Sequence, residues 1–332
     1  MKVTFFFRRK RKNHHSIERV FDAVIQHLPG EIDAQNIEMP KSGAGPLSIL
    51  SNCLTAIRAK GKINHVTGDI HYVSLILPKR KTILTIHDIE SILTGNYVKK
   101  LLLKKLWLDW PVRRCRYVTV ISEATKSKLL ELMNVRDDRI KVIPNPVANS
   151  FSFRPREDIS SKPILLQIGT KKNKNLPRLI GAIKEIPCHL IVLGELNDSQ
   201  INLLTQYSIS YENHVNISDA SVHKLYERAD LLTFVSLFEG FGLPIIEAQL
   251  SGIPVITSNI SSMPEVAGDG ALTVDPHNEE EIKQGITQLI SDKELRKKLI
   301  VNGKKNAEKY NVKVITQMYC DLYNQMHLHE GR

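Results

Sequence analysis

Short apolar runs alternate with helical segments along almost the whole chain of 332 residues, and this order constrains the fold more than any other feature. In the first half, Lys2–Phe7 has the composition of a strand and Ser16–Leu28 has the apolar spacing of a helix. Strands that alternate with helices indicate βαβ units, which build parallel sheets. The other elements expected in this half are strands over Ile63–Thr67, Thr82–Ile86, Tyr117–Ser122 and Lys141–Ile143, and a helix over Glu123–Met133.

The second half repeats the alternation. Its expected strands are Ile164–Ile168, His189–Leu193, Leu231–Ser236 and Pro254–Thr257, and its expected helices are Leu176–Lys184, Ser221–Ala229, Pro244–Leu250 and the long stretches Glu279–Lys309 and Val314–His327. Prolines between residues 144 and 163 indicate the interdomain linker. We therefore expect an α/β protein with two Rossmann-like, doubly wound parallel-sheet domains, residues 1–150 and 151–313, facing a central cleft. A helix over 314–332 is expected to pack back on the first domain.

The net charge of +11 is concentrated in the first half. Residues 1–150 carry 26 Lys and Arg against 13 Asp and Glu, whereas residues 151–332 carry 20 against 22. This asymmetry predicts an anionic partner for the first domain. Two basic clusters, Arg8–Lys12 and Val98–Arg116, are candidates for peripheral attachment to an anionic membrane, since the second mixes lysine pairs with leucines and both tryptophans. The alternative is an ordinary domain helix that packs inward.

The composition excludes several classes of protein. An apolar content of 42% and a charged content of 24% are typical of a globular chain. No apolar run approaches the ~20 residues of a membrane span, and the charges after Phe7 lie on the wrong side for a signal peptide. Four scattered cysteines favour a reducing compartment, so we expect a cytoplasmic location, with the inner face of the cytoplasmic membrane as an alternative. Aromatic residues make up only 6% and no nucleic-acid motif is present, so we expect no nucleic-acid partner.

The most informative segment is 236–264, SLFEGFGLPIIEAQLSGIPVITSNISSMP. Glu239 follows an apolar strand, at the end where open α/β sheets bind ligands. Gly240 and Gly242 allow a sharp turn, and Glu247 lies about one turn into the next helix. Taken singly, Glu239 is better explained as a solvated loop residue, and Glu247 as a first-turn complement to the helix dipole.

The whole segment resembles the E-x7-E motif of the retaining glycosyltransferases of family 4, which have the GT-B fold. The resemblance implies that Glu239 binds hydroxyls of a donor sugar and that Glu247 binds the ribose hydroxyls of a nucleotide. It implies a retaining, hexosyltransferase-type enzyme that moves sugar from a nucleotide-sugar donor to a glycan or lipid-linked acceptor in cell-surface polysaccharide synthesis. The other donor-binding residues that it implies are Gly240, Phe241, Gly242, Leu243, Ser262 and Met263.

A lysine-rich turn begins the second domain. Gly169, Lys172 and Lys174-Asn175-Leu176 resemble the family's glycine, basic residue and Lys-Asn-Leu turn. The resemblance implies that Lys174 neutralises the leaving diphosphate, which suits cations near a helix N-terminus. Thr170 stands where the family often has arginine, so the second cation remains open among the neighbouring lysines. The alternative is a solvated turn.

In the first domain, Thr85-Ile86-His87-Asp88 resembles the family's His-Asp pair at a strand end. The resemblance implies that His87 contacts the donor sugar from the opposite domain and that Asp88 lies on the acceptor side; a structural histidine is the alternative. Asp69 is a second acceptor-side candidate, or a helix N-cap. Many relatives have a glycine pair after the first strand, where this chain has RRKRKNHHSIERV. The contacts made there are therefore not carried over.

The sequence contains no D-x-D motif, by which the other major transferase fold holds a divalent ion. We expect neither a metal nor a cofactor, with the diphosphate neutralised by lysines and backbone N–H groups. Two alternatives stay open: another GT-B enzyme such as a nucleotide-sugar epimerase, and a non-enzymatic basic protein that binds membrane or nucleic acid.

Overall fold

The computed structural model describes residues 1–10, 16–43, 45–89, 103–147 and 151–328. The chain forms two compact units, the first of Met1–Pro146 with Val312–Arg332 and the second of Val147–Asn311. Each unit has its own six-stranded sheet, and every strand pair in both sheets is parallel. The predicted α/β class with doubly wound parallel sheets is confirmed.

The first sheet has the strand order β2-β1-β3-β4-β5-β6. Its strands are β1 (Lys2–Phe7), β2 (Asp33–Glu38), β3 (Ile63–Val66), β4 (Thr82–Ile86), β5 (Tyr117–Val120) and β6 (Ile140–Val142). After β1, the next strand, β2, is added on one side of the sheet, and the strands from β3 to β6 are then added on the other side of β1. Adjacent strands whose connections diverge in this way leave a crevice at their carboxyl ends, here after β1 and β3.

The helices of this unit include one that the sequence analysis missed. They are α1 (Ser16–Gln26), α2 (Pro46–Ala59), α3 (Trp110–Arg114) and α4 (Glu123–Leu132). The missed helix is α2, which begins with Pro46 at a position where the absent N–H is not needed. At the start of α4, the Ser122 hydroxyl accepts a hydrogen bond from the N–H of Thr125 at 3.1 Å.

Part of the predicted membrane-binding segment 98–116 lies outside the described residues, as do Arg11 and Lys12 of the other cluster. In the described part, Leu108 is fully buried, and the indole N–H of Trp107 donates to the carbonyl of Asp69 at 2.9 Å. Trp107 also packs edge-on against Tyr72, with ring centroids 5.1 Å apart. Of the two tryptophans, Trp110 is exposed, whereas Trp107 is half-buried and packs against the core of the first unit, so the expectation of two interfacial tryptophans is wrong for Trp107.

The second sheet has the order β12-β11-β10-β7-β8-β9. Its strands are β7 (Ile164–Ile168), β8 (His189–Leu193), β9 (Ser210–His214), β10 (Leu231–Phe234), β11 (Val255–Ser258) and β12 (Leu272–Val274). Here β7 and β10 are the adjacent strands with diverging connections, so their carboxyl ends define the ligand-binding edge.

The helices of the second unit are α5 (Leu176–Ile183), α6 (Asp198–Gln206), α7 (Asp219–Arg228), α8 (Leu243–Ser251), α9 (Met263–Ala267), α10 (Glu279–Ser291) and α11 (Lys293–Ala307). The prediction of one continuous helical stretch over Glu279–Lys309 is wrong, because the chain breaks at Asp292. The Asp292 carboxylate accepts the N–H of Leu295 at 2.9 Å and so caps α11.

The last helix, α12 (Val312–Leu328), belongs to the first unit. Its Tyr323 hydroxyl lies 2.7 Å from Nδ1 of His65, which is fully buried on β3. Tyr319 packs against Phe21 of α1, with ring centroids 5.6 Å apart. A buried hydrogen bond and a set of aromatic contacts therefore fix α12 to the first sheet.

Candidate active site

The carboxyl ends of β7 and β10 carry the two loops that the sequence analysis singled out. The lysine turn, residues 169–175, follows β7, and the glycine turn, residues 236–242, follows β10. The N–H of Leu237 donates to the carbonyl of Asn173 at 2.7 Å, so the backbones of the two turns are joined directly. The sheet topology thus brings together residues that are more than sixty positions apart.

Lys174 and Glu239 form an ion pair at the centre of this edge. Nζ of Lys174 lies 2.6 Å from Oε1 of Glu239, and the side chains are only 18% and 13% exposed. Nζ also lies 4.7 Å from the ring centroid of Phe234, a favourable distance for a cation over an aromatic face. The two charges predicted for the site are therefore adjacent, and in this state each neutralises the other.

The backbone of the lysine turn is held by two amide side chains, Asn175 and Gln167, for which no role was predicted. Asn175 has a left-handed backbone with φ 59°, and its Nδ2 donates to the carbonyls of Val235 at 3.0 Å and Pro276 at 2.7 Å. Nε2 of Gln167 donates to the carbonyl of Lys174 at 3.1 Å. Together these amides fix the direction from which Lys174 reaches the edge.

Gly169 is required by the same arrangement. Its φ is +90°, and a Cβ on it would lie 2.9 Å from Cγ of Lys174. Lys172, in contrast, is exposed and lines a surface groove with Arg178 and Asn197. The structure therefore brings Gly169 to the ion pair but directs Lys172 into a neighbouring groove, and the second cation for a diphosphate stays unassigned.

The glycine turn is fixed by two serines behind it. Gly242 has φ +113° and precedes α8. The hydroxyl of Ser262 is buried between the carbonyls of Glu239 and Phe241, at 2.9 and 2.7 Å. Ser261, which has the unusual φ of 61°, places its hydroxyl 2.8 Å from the Glu239 carbonyl. The role of Ser261 was not predicted, because it depends on contacts across 22 residues.

Four of the predicted donor-binding residues differ in the solvent exposure of their side chains. The side chains of Phe241, Ser262 and Met263 are buried, whereas Leu243 is half-buried at the start of α8. Any contact that the buried three make with a donor therefore comes from their backbone. Gly240 lies half-buried on the turn itself, next to Glu239.

Glu247 lies on α8 beyond the first turn, so its interpretation as a first-turn complement to the helix dipole is wrong. Its Oε2 accepts a hydrogen bond of 2.6 Å from the hydroxyl of Tyr226, a fully buried residue of α7. Burial, reinforced by the Glu247 charge, raises the pKa of Tyr226 well above its usual value. Tyr226 therefore stays protonated and orients the carboxylate, a role that no local pattern reveals.

In the first unit, His87 follows β4 and is half-buried. Its Nε2 lies 2.8 Å from the carbonyl of Thr67; because a carbonyl only accepts, Nε2 carries the proton. Burial lowers the pKa of His87 to about 4, so the imidazole is neutral near pH 7. Asp88 lies beside it, also half-buried. The contact of His87 with a donor sugar stays a prediction.

Asp69 follows β3 and is not a helix cap. The 3-10 turn His71–Leu75 begins after Ile70 without any side-chain cap, and the Asp69 carboxylate is hydrogen-bonded to the guanidinium of Arg8. Nε of Arg8 also donates to Glu18 at 2.7 Å. Arg8 therefore joins two carboxylates at the crevice after β1 and β3, where the sequence analysis saw only part of a basic cluster.

Two negative findings apply to the described residues alone. No three His, Cys, Asp or Glu side chains among them cluster so as to hold a metal ion. No helix formed by these residues has both the length and the apolarity needed to cross a membrane.

Comparisons with known proteins identify the family of this chain. The family model for glycosyltransferase family 4 matches residues 43–150, and that for glycosyl transferases group 1 matches residues 150–306. The chain is 27% identical to the O-antigen chain mannosyltransferase B of Escherichia coli, over 76% of this chain and 73% of that one. It is 28% identical to the O-antigen chain mannosyltransferase RfbU of Salmonella typhimurium, over 63% of this chain and 61% of that one.

The fold is also that of solved glycosyltransferase structures. Anabaena HepE, whose structure was determined in complex with UDP and glucose, superposes with a TM-score of 0.78 at 17% identity, covering 98% of this chain and all of that one. The two family models together match residues 43–306, and the chain belongs to the family 4 glycosyltransferases, which have the GT-B fold.

Proposed function

We propose that this protein transfers a hexose, of the mannose class, from a nucleotide-diphosphate donor to a glycan or lipid-linked acceptor during synthesis of a cell-surface polysaccharide. The observation that carries the proposal is the Lys174–Glu239 pair at the carboxyl edge of the second sheet. The mannose class comes from the two relatives, both mannosyltransferases of O-antigen chains. A nucleotide-linked sugar fits the edge because it offers a diphosphate to the cation and hydroxyls to the carboxylate.

Donor binding divides the ion pair between two groups of the substrate. The diphosphate takes the ammonium of Lys174, and the Glu239 carboxylate is released towards the sugar. As the bond to the diphosphate breaks, negative charge grows beside Lys174 and positive charge grows on the sugar beside Glu239. Both charges of the protein then stabilise the transition state more than the ground state.

Glu247 binds the nucleotide end of the donor. A carboxylate has about four acceptor positions, so Glu247 can accept a hydrogen bond from Tyr226 and can also bind two vicinal ribose hydroxyls. Because Tyr226 is buried and protonated, it holds Glu247 in one orientation before the ligand arrives. This preorganisation lowers the entropy lost on binding.

The reaction retains the anomeric configuration and needs no metal ion. The support is the E-x7-E segment, the absence of a D-x-D motif in the sequence, and the Lys174 ammonium beside Glu239, a cation that can neutralise a diphosphate. His87 contributes a neutral imidazole towards the sugar, and Asp69 and Asp88 contribute carboxylates on the acceptor side. A cytoplasmic location with peripheral attachment of the first unit to an anionic membrane suits a lipid-linked acceptor.

The test is release of nucleoside diphosphate from a panel of mannose and glucose donors of guanosine and uridine, with and without a bacterial membrane glycolipid fraction. We expect one donor to be consumed, with glycolipid-dependent release and sugar label in the lipid phase. Donor consumption that yields only free or epimerised sugar, with no dependence on glycolipid, would assign the chain to the epimerase-type alternative. Consumption of no donor at all would contradict the proposal.

A further inference from the structure

Helix α2 exposes a row of large apolar side chains on one face. The four large apolar side chains of one helical face, Leu47, Leu50, Leu54 and Ile57, are spaced by three, four and three residues. Their exposure ranges from 41% at Ile57 to 83% at Leu47. Among the described residues, no other helix has four exposed large apolar side chains on one face. We call these four residues the α2 face.

The opposite side of α2 fixes this orientation through a polar anchor. Asn52 is fully buried, and its Nδ2 donates to the hydroxyl of Tyr72 at 2.7 Å and to the carbonyl of Lys41 at 3.0 Å. Its Oδ1 accepts the N–H of Lys41 at 3.1 Å. Rotating the helix to bury the leucines would expose Asn52 and leave these buried partners without hydrogen bonds, which costs more than it gains.

The sequence on both sides of the α2 face is basic. Residues 39–68 contain no Asp or Glu, and their four cations, Lys41, Arg58, Lys60 and Lys62, are all exposed. A helix face of leucines flanked by cations has the composition of a segment that lies in the headgroup layer of an anionic membrane. A second copy of this chain would be a poor occupant, because a symmetric contact would oppose the same four cations without any carboxylate.

We propose that the α2 face and its flanking cations dock on an anionic lipid bilayer. The proposal rests on the peripheral attachment included in the proposed function, but it assigns the attachment to α2 and not to segment 98–116. The leucines enter the boundary between headgroups and acyl chains, and the cations pair with lipid phosphates. Each cation near such a surface strengthens binding about fivefold.

The experiment is flotation of the full chain with vesicles of phosphatidylcholine, with or without phosphatidylglycerol. We expect binding that requires phosphatidylglycerol and weakens with salt. Replacement of Leu47, Leu50 and Leu54 by Ser should reduce binding at least about tenfold, since three buried leucines are lost. The matched control is Val301→Ser with Val314→Ser, two exposed valines elsewhere. Arg58→Glu with Lys60→Glu and Lys62→Glu should also abolish binding, whereas Lys298→Glu with Lys305→Glu should not.

Hydrogen exchange of the wild-type chain provides a measurement that does not depend on variants. Added anionic vesicles should protect the amides of α2. Absence of binding, or binding that is lost through Lys104→Glu with Lys105→Glu but kept in the α2 variants, would overturn the proposal. A lipid-free dimer that dissociates on Leu50→Ser would likewise overturn it, by showing that the face binds a second copy.

The outcome is separable from the proposed function. Release of nucleoside diphosphate in the presence of the glycolipid fraction dispersed in a neutral detergent, without vesicles, should be the same in the leucine variant and in the wild type, because α2 contributes no residue to the candidate active site. If vesicle binding fails while this release persists, the docking proposal is wrong and the transferase proposal stands. If release is absent in the wild type while vesicle binding persists, the transferase proposal is wrong and the docking proposal stands.

Discussion

The two sheet edges of this protein carry charge in different ways. In the second unit, Lys174 and Glu239 pair one to one within 2.6 Å, on turns held by backbone and amide contacts. In the first unit, Arg8 serves two carboxylates, Glu18 and Asp69, and the nearby His87 is neutral. The Lys174–Glu239 pair can separate, so the edge of the second sheet suits a ligand that brings an anion for the lysine and hydroxyls for the carboxylate. In the first unit, one arginine faces two carboxylates, and this arrangement suits a ligand that brings hydroxyl groups.

The histidines of the units differ in the same sense. Among the described residues, two histidines are buried, His65 and His71, and both belong to the first unit. Burial lowers the pKa of His65 to about 3, helped slightly by the neighbouring His87. The first unit therefore depends on keeping imidazoles uncharged, while the second depends on keeping charges paired. Mutation of these charged groups and a change of pH should therefore affect the two units differently.

The largest expected effect is on the rate of transfer in Glu239→Gln. Losing one electrostatic stabiliser costs on the order of 100-fold in rate. The variant should bind nucleoside diphosphate at least as tightly as the wild type, because Lys174 is released from its partner. Steady-state kinetics and calorimetry separate the two quantities, with exposed Glu280→Gln as the control. Near-normal turnover with an unchanged melting curve would refute the role of Glu239.

The next effect is on nucleotide affinity in Glu247→Ala. Hydrogen bonds from hydroxyls to a carboxylate contribute roughly 1.5–3 kcal/mol each, so the dissociation constant should rise about tenfold or more. Tyr226→Phe should cause a smaller loss, because it removes only the orienting hydrogen bond. Calorimetry with nucleoside diphosphate alone measures both. An unchanged affinity in Glu247→Ala would show that this residue does not bind the nucleotide.

Acid should weaken the first unit selectively. Because the folded pKa of His65, about 3, lies below its ordinary value of about 6.5, the unfolded chain binds the extra proton between these values. The contribution of His65 to stability is therefore complete above about pH 6.5 and falls as the pH is lowered, by at most about 1.4 kcal/mol per pH unit. Both tryptophans lie in the first unit, so their fluorescence reports its unfolding.

The variant His65→Gln should lose the share of this pH dependence that His65 contributes, while His87, whose pKa is lowered to about 4, retains its own share. The substitution should also lower the stability near pH 7. The control is His277→Gln, an exposed histidine of the second unit. An equal pH slope in the wild type and in His65→Gln would show that another group governs the acid sensitivity.

The smallest expected effect is that of a chelator. If Lys174 and backbone N–H groups neutralise the diphosphate, EDTA should leave the transfer rate unchanged. Loss of activity in EDTA that Mg²⁺ or Mn²⁺ restores would contradict the proposed metal independence and would shift attention from Lys174 to the carboxylates.

The sequence predicts the buried interior better than the periphery. Central strands such as β7 and β10 are mostly apolar runs, and they lie where expected. The missed strands β2, β9 and β12 are all edge strands. β2 and β9 are polar and carry no apolar period, and β12 has only three residues. Helix α2 was missed for a related reason, since its leucines face outward and its buried side carries Asn52.

The site shows the same division. Glu239, Glu247 and Lys174 were predictable because each lies within a local string of letters. Tyr226, Ser261 and the Arg8–Glu18 pair were not, because their roles come from contacts with residues 10 to 61 positions away. Local motifs thus predict which charges the site contains, but not which groups orient them.

The most direct test of the account is saturation-transfer NMR with a panel of nucleotide sugars. One donor should receive saturation from the protein at both its ribose and its sugar protons. Glu247→Ala should reduce the ribose signals selectively, and Glu239→Gln should reduce the sugar signals selectively while the nucleotide stays bound. Saturation of no donor, or a bound donor whose pattern is unchanged in both variants, would contradict the assignment of the donor site to the carboxyl edge of the second sheet.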